Sequence, residues 1–120
     1  MAVSDKCCSI APYFRVPDEN LDAFKQLCEK FVAKTREETK CLYYGFSFNG
    51  NDAYCREGYA DAGALLKHVE NVGALLAEAM KIAEVTRLEI HGPEEELARL
   101  RGPLADHHAT FFTLECGFRN

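Results

Sequence analysis

The chain has 120 residues, of which 48% are hydrophobic and 28% charged, with a formal net charge of −5. Such a length holds one domain, read here as a single unit over 1–120, and the composition excludes extended disorder and collagen-like repeats. No apolar run approaches the ~20 residues that cross a bilayer, and the acidic balance supplies no basic stripe for phosphates, so neither a membrane nor a nucleic acid is an expected partner.

Residues 7–16 alternate as a strand, with Ile10, Phe14 and Val16 on one face and Ala11 and Tyr13 on the other. Pro12 has no N–H to donate and marks a bulge or an unpaired position. Asp18, after Pro17, is predicted to cap a helix over 19–37. Its buried stripe is Leu21, Phe24, Cys28, Phe31, Val32 and Thr35. Residues 41–48 carry the clearest strand pattern: Leu42, Tyr44, Phe46 and Phe48 on one face, Cys41, Tyr43, Gly45 and Ser47 on the other. Asn49-Gly50-Asn51-Asp52 is a hairpin signal, and 53–59 is the returning strand.

Asp61 is placed to cap a second helix over 62–81, with Leu65, Leu66, Val69, Val72, Leu75, Leu76, Ala79 and Met80 on its apolar arc. Residues 84–91 alternate as a fourth strand, ending at His91 in a predicted turn. Pro93 followed by three glutamates is a helix start, with acids on the positive end of the dipole. That helix ends near Gly102-Pro103, and 110–118 reads as a fifth strand.

The fold class is therefore α+β: a ferredoxin-like βαββαβ with an extra C-terminal helix and strand. Right-handed crossovers place both main helices on one face of the sheet. Tyr43 beside Tyr44, and Tyr13 beside Phe14, put aromatic surface on both faces, where a half-wet sheet alternates apolar with polar. The expected cover for the second face is another copy of the chain, as a homodimer.

Cysteines stand at positions 7, 8, 28, 41, 55 and 116, with no C-x-x-C pair. Met1 to Lys6 contains no apolar leader. Reduced, buried thiols in a cytoplasmic protein are the expectation.

The run Thr35-Arg36-Glu37-Glu38-Thr39-Lys40-Cys41-Leu42-Tyr43-Tyr44 resembles the approach to the second strand in antibiotic-biosynthesis monooxygenase domains. The run Glu57-Gly58-Tyr59-Ala60-Asp61-Ala62-Gly63-Ala64-Leu65-Leu66-Lys67-His68 resembles their glutamate, aromatic, helix cap and helix histidine. With the element order, the resemblance spans roughly 8–91. Thr39-Lys40 replaces the family's usual proline and glycine, and Val72 stands where many members have a second histidine. The resemblance implies a dimeric α/β barrel; the fifth strand either extends its own sheet edge or reaches across to the neighbouring subunit, as C-terminal segments often do in related dimers. It also implies a cofactor-independent monooxygenase acting on a small phenol or quinol, with a haem or small-ligand binding protein, or a structural dimer, as alternatives.

Candidate residues follow. His68 lies at the edge of its helix's apolar arc, and its ordinary pKa near 6.5 suits a general base. The alternatives are an axial haem ligand or a half-buried histidine satisfied by one partner. Glu57, on an inner strand, either orients His68 or pairs with Arg15 or Arg87 across the subunit interface; the salt bridge is the stronger expectation. Tyr59 and Asn71 are read as positioning a substrate, and Tyr13 and Tyr44 as lining an aromatic pocket. Asp106-His107-His108 lacks a fourth ligand, so no metal is expected. There is no phosphate loop, no nucleotide fingerprint and no tryptophan, so nothing supports nucleotide or flavin binding.

Overall fold

A computed structural model describes residues 5–120. Residues 1–4, part of the segment on which the expectation about a leader rests, lie outside the described residues.

The chain runs β1 (Cys8–Arg15), α1 (Leu21–Thr35), β2 (Cys41–Asn49), β3 (Asp52–Tyr59), α2 (Ala62–Asn71), α3 (Gly73–Ala79), β4 (Glu84–Gly92), α4 (Glu94–Arg101) and β5 (Thr110–Thr113). This is the expected α+β order. The sheet order is β2-β3-β1-β4-β5, with antiparallel pairs up to β4 and β5 parallel to β4. The last strand thus extends the edge of its own sheet. It is also much shorter than 110–118, because β4 runs out at Gly92, opposite Thr113.

Other boundaries depart for local reasons. Asp18 sits in a 3₁₀ turn before α1 and accepts from Asn51 Nδ2 at 2.7 Å, so it caps nothing. A register shift between Cys41 and Tyr43 turns Leu42 out of its predicted face and leaves it 41% exposed. The long helix expected over 62–81 breaks at Val72, where glycine follows and helix propensity is weakest. Met80 falls beyond α3 and is 48% exposed. His91 lies within β4, not in a turn, and faces Glu89 and the ring of Phe112.

The helices cover one face of the sheet over two apolar clusters. One gathers Phe14, Phe24, Phe31 and Val72 under α1 and α3. The other gathers Tyr59, Leu65, Ile90, Leu97 and Leu100 between α2, the sheet and α4. The N-terminus of α2 is held by two carboxylates. Asp61 Oδ1 accepts from the Ala64 N–H at 2.8 Å, and buried Glu96, from α4, accepts from the Ala62 N–H at 2.9 Å. Each satisfies a donor that the helix leaves unpaired and opposes the positive end of its dipole. Among the described residues no helix is long and apolar enough to cross a membrane.

Among the described residues the other face of the sheet carries no helix. Tyr13 stacks on Tyr54 there at 4.8 Å, and the Tyr43 ring lies over Gly58. A Cβ at position 58 would fall 2.4 Å from that ring, so glycine is the residue that admits it.

Candidate active site

Alternation along β3 turns Cys55, Glu57 and Tyr59 toward the helices, and α2 lowers His68 onto them. His68 and Glu57 are 4% and 5% exposed. Buried charge of this kind needs partners. His68 Nδ1 lies 2.9 Å from Glu38 Oε2, and Nε2 makes an ion-pair contact of 3.2 Å with Glu57 Oε1. Tyr59 donates to the same Glu57 oxygen at 2.5 Å, and Asn71 Nδ2 donates to Glu38 Oε2 at 2.8 Å. The Tyr59 and Tyr44 rings flank the imidazole at 4.8 and 5.3 Å.

A neutral imidazole has one N–H and one lone pair. With a carboxylate oxygen at each nitrogen, the lone pair of the neutral form would face negative charge. Burial pulls the His68 pKa down, but Glu57 and then Glu38 outweigh it and raise it above the ordinary value. Both carboxylates thus stabilise the imidazolium relative to the neutral ring. Neither ring nitrogen is free to ligate iron as placed, so the residues do not fit haem ligation by His68. Burial pushes the Cys55 thiol and the Tyr44 and Tyr59 phenols up, with Glu57 adding to each, so all three stay protonated. Cys55 is thereby not a thiolate nucleophile.

One end of a cavity of about 500 Å³ opens on this pair. Its walls are apolar, from Ile10, Phe14, Phe31, Phe46, Val72 and Leu76, with Tyr44, Cys55, Glu57 and His68 as its polar end. Exposed His107 and His108 also line it. Among the described residues no cluster of three or more His, Cys, Asp or Glu is placed to hold a metal ion.

The structure thus brings together Glu57, His68 and Tyr44. Tyr59 belongs to the cluster but does not line the cavity; its hydroxyl is spent on Glu57. Asn71 binds Glu38, away from the cavity, and so positions a side chain instead of a substrate. Tyr13 lies on the opposite face of the sheet, because it alternates with Phe14, which lines the cavity. The expected salt bridge of Glu57 with Arg15 or Arg87 is replaced: Arg15 pairs with Asp52 and Arg87 with Glu89, both on the open side. Glu38 is the residue that sequence reasoning missed. The signal was there, since a carboxylate just past a helix C-terminus opposes the dipole and needs a cationic partner.

No protein-family model and no curated protein matches the chain. Solved structures do. MupZ from Pseudomonas fluorescens is 48% identical, with a TM-score of 0.95, over 100% of this chain and 94% of its own. The chain belongs to the family of MupZ. The match covers the whole of this chain and so takes in the C-terminal helix and strand. A putative antibiotic biosynthesis monooxygenase from Caulobacter crescentus is 18% identical, with a TM-score of 0.66, over 72% of this chain and 88% of that one. Another from Chloroflexus aurantiacus is 11% identical, with a TM-score of 0.61, over 72% and 92%. The chain shares its fold with these two over that part of its length.

Proposed function

We propose that this MupZ family member is a proton-transfer enzyme of the cofactor-independent monooxygenase type, acting on a small phenol or quinol held against the Glu57–His68 pair. The observation that carries the reading is an imidazole between two carboxylates at one end of a cavity whose walls are mainly apolar. The walls suit an aromatic ring, and exclusion of water strengthens every charge interaction at that end.

The roles of the two residues differ from those read in the sequence. Glu57, which lines the cavity and contacts His68 Nε2, is the base, and His68 is the group that supports it. Glu57 takes the phenolic proton. The phenolate passes one electron to O₂, giving a phenoxyl radical and superoxide. Their recombination forms the new C–O bond, Glu57 returns its proton to the resulting peroxide anion, and loss of water leaves the quinone. Tyr44 lies beside the ring, and Tyr59 fixes the Glu57 oxygen.

A second reading is isomerisation of a small unsaturated or carbonyl compound by removal and return of one proton. It is favoured by a carboxylate at the polar end of the cavity that can both take and return a proton. We further propose that two chains pair through the open, tyrosine-bearing face of the sheet, and that the unpaired thiols belong to a reducing, cytoplasmic setting. Light scattering that gives a 13.5 kDa particle at micromolar concentration overturns the pairing.

Oxygen uptake with a panel of quinols and polyphenols tests the main reading. Wild type should consume O₂ and form quinone, with His68→Ala and Glu57→Gln slower by about 10²–10⁴-fold. Solvent deuterium entering a substrate without O₂ uptake turns the assignment to isomerisation. Equal uptake by wild type and both variants removes these residues from the chemistry.

A further inference from the structure

Glu38 lies on the side of His68 away from the cavity. Its Oε2 takes both the imidazole Nδ1 contact, at 2.9 Å, and the Asn71 amide, at 2.8 Å. Its Oε1 has no hydrogen-bond partner among the described residues. Glu38 also lines two surface clefts, one with Lys40, Lys67 and Arg99, the other with Lys34, Lys67 and Glu70. Glu57 is the reverse: it lines the cavity and neither cleft. The imidazole stands between a carboxylate that looks into the cavity and one that reaches solvent.

We propose that Glu38 is the solvent-side end of a proton path that runs from the cavity through Glu57 and His68. For export, the ring begins as the Nδ1–H tautomer. Glu57 gives up its O–H proton, Nε2 gains an N–H, and Nδ1 releases its proton to Glu38 Oε2. Glu38 hands a proton to water, and the ring is left as the Nε2–H tautomer. Import reverses each bond change, entering at Nδ1 and leaving at Nε2, and restores the starting form. The imidazolium is the intermediate of both passages. Groups facing the ring are Glu38 from the α1–β2 loop, Tyr44 from β2, and Glu57 and Tyr59 from β3. Asn71 is a positioning residue that fixes which Glu38 oxygen meets the ring.

The path deepens the proton-transfer reading, yet it can be tested without any substrate. The probe is exchange of the His68 ring N–H protons with water, followed by NMR on full-length protein labelled with ¹⁵N-histidine. Glu38→Gln is expected to slow that exchange by about a hundredfold, the lower end of what one positioned acid–base group supplies. Glu57→Gln should leave it fast, because the solvent side is intact. In Glu38→Ala, formate should restore exchange in proportion to its concentration by occupying the vacated carboxylate position. If Glu38→Gln fails to fold, Glu38→Asp, which keeps the charge and withdraws it by one methylene, should give an intermediate rate. Unchanged exchange in the Glu38 variants, or slowing by Glu57→Gln of the same size, overturns the path. Slowed exchange with formate rescue, in a protein inactive on every phenol, retains the path and discards the monooxygenase reading.

Discussion

The two halves of the layer between helices and sheet are built from similar residues and end differently. Under α2, Tyr59, Leu65, Ile90, Leu97 and Leu100 close into a filled core. Under α3, Phe14, Phe31, Phe46, Val72 and Leu76 surround about 500 Å³ of open space. What separates them is α4. It presses Leu97 and Leu100 onto the first half and caps α2 with Glu96, whereas no added element fills the second. The lesson is that the hollow does not come from polar walls. It is an apolar layer short of side chains, and the rigid half beside it keeps His68 in place.

The sharpest way to break this contrast is to delete side chains on each side. Leu97→Ala should cost about 3–5 kcal/mol in urea unfolding, since a filled core loses contacts and gains a void. Leu76→Ala, on a wall already facing empty space, should cost about half as much or less by the same principle. Similar losses at both positions would show that the cavity is filled in solution.

Next in size is the cap that joins the halves. Glu96→Ala leaves the buried Ala62 N–H without its acceptor and should lower stability by about 1–3 kcal/mol. His68 ring signals in NMR should broaden or shift if the cap also steadies the site; an unchanged spectrum would confine Glu96 to stability.

The charge of His68 gives a pH test. Its folded pKa is raised, so its ion pairs with Glu57 and Glu38 stabilise the fold fully below the unfolded value near 6.5. That contribution fades as pH rises from there through the folded pKa. Urea midpoints for wild type should fall across this window, and His68→Gln should flatten the slope. A wild-type slope of the opposite sign would mean that the imidazole is held neutral.

The smallest expected effect is at the break between α2 and α3. Gly73 is exposed and a Cβ there meets nothing within 4 Å. Gly73→Ala should therefore stabilise by about 0.5–1 kcal/mol. Loss of stability would show that the break is required for packing.

Much of the fold was legible because it is written in short-range patterns. Gly50 takes a φ of +58° in the predicted hairpin, and Asp61 caps α2 as its place before the apolar arc implied. The face of β3 that carries Glu57 and Tyr59 followed from alternation alone. What was not legible depends on partners distant in the chain. Glu38 meets His68 across 30 positions and Glu96 meets Ala62 across 34, and neither spacing has a periodic signature. Tyr13 was misplaced for another reason: tyrosine as a residue type suggested a pocket, while the alternation with Phe14 already put it on the far side of the sheet.

The interruption at Val72 divides labour between two short rods. The imidazole rides on the first, pinned by two carboxylates at its start, and Leu76, part of the chamber wall, rides on the second. A change of side chain on the second rod therefore reshapes the chamber wall and leaves the contacts of the imidazole untouched.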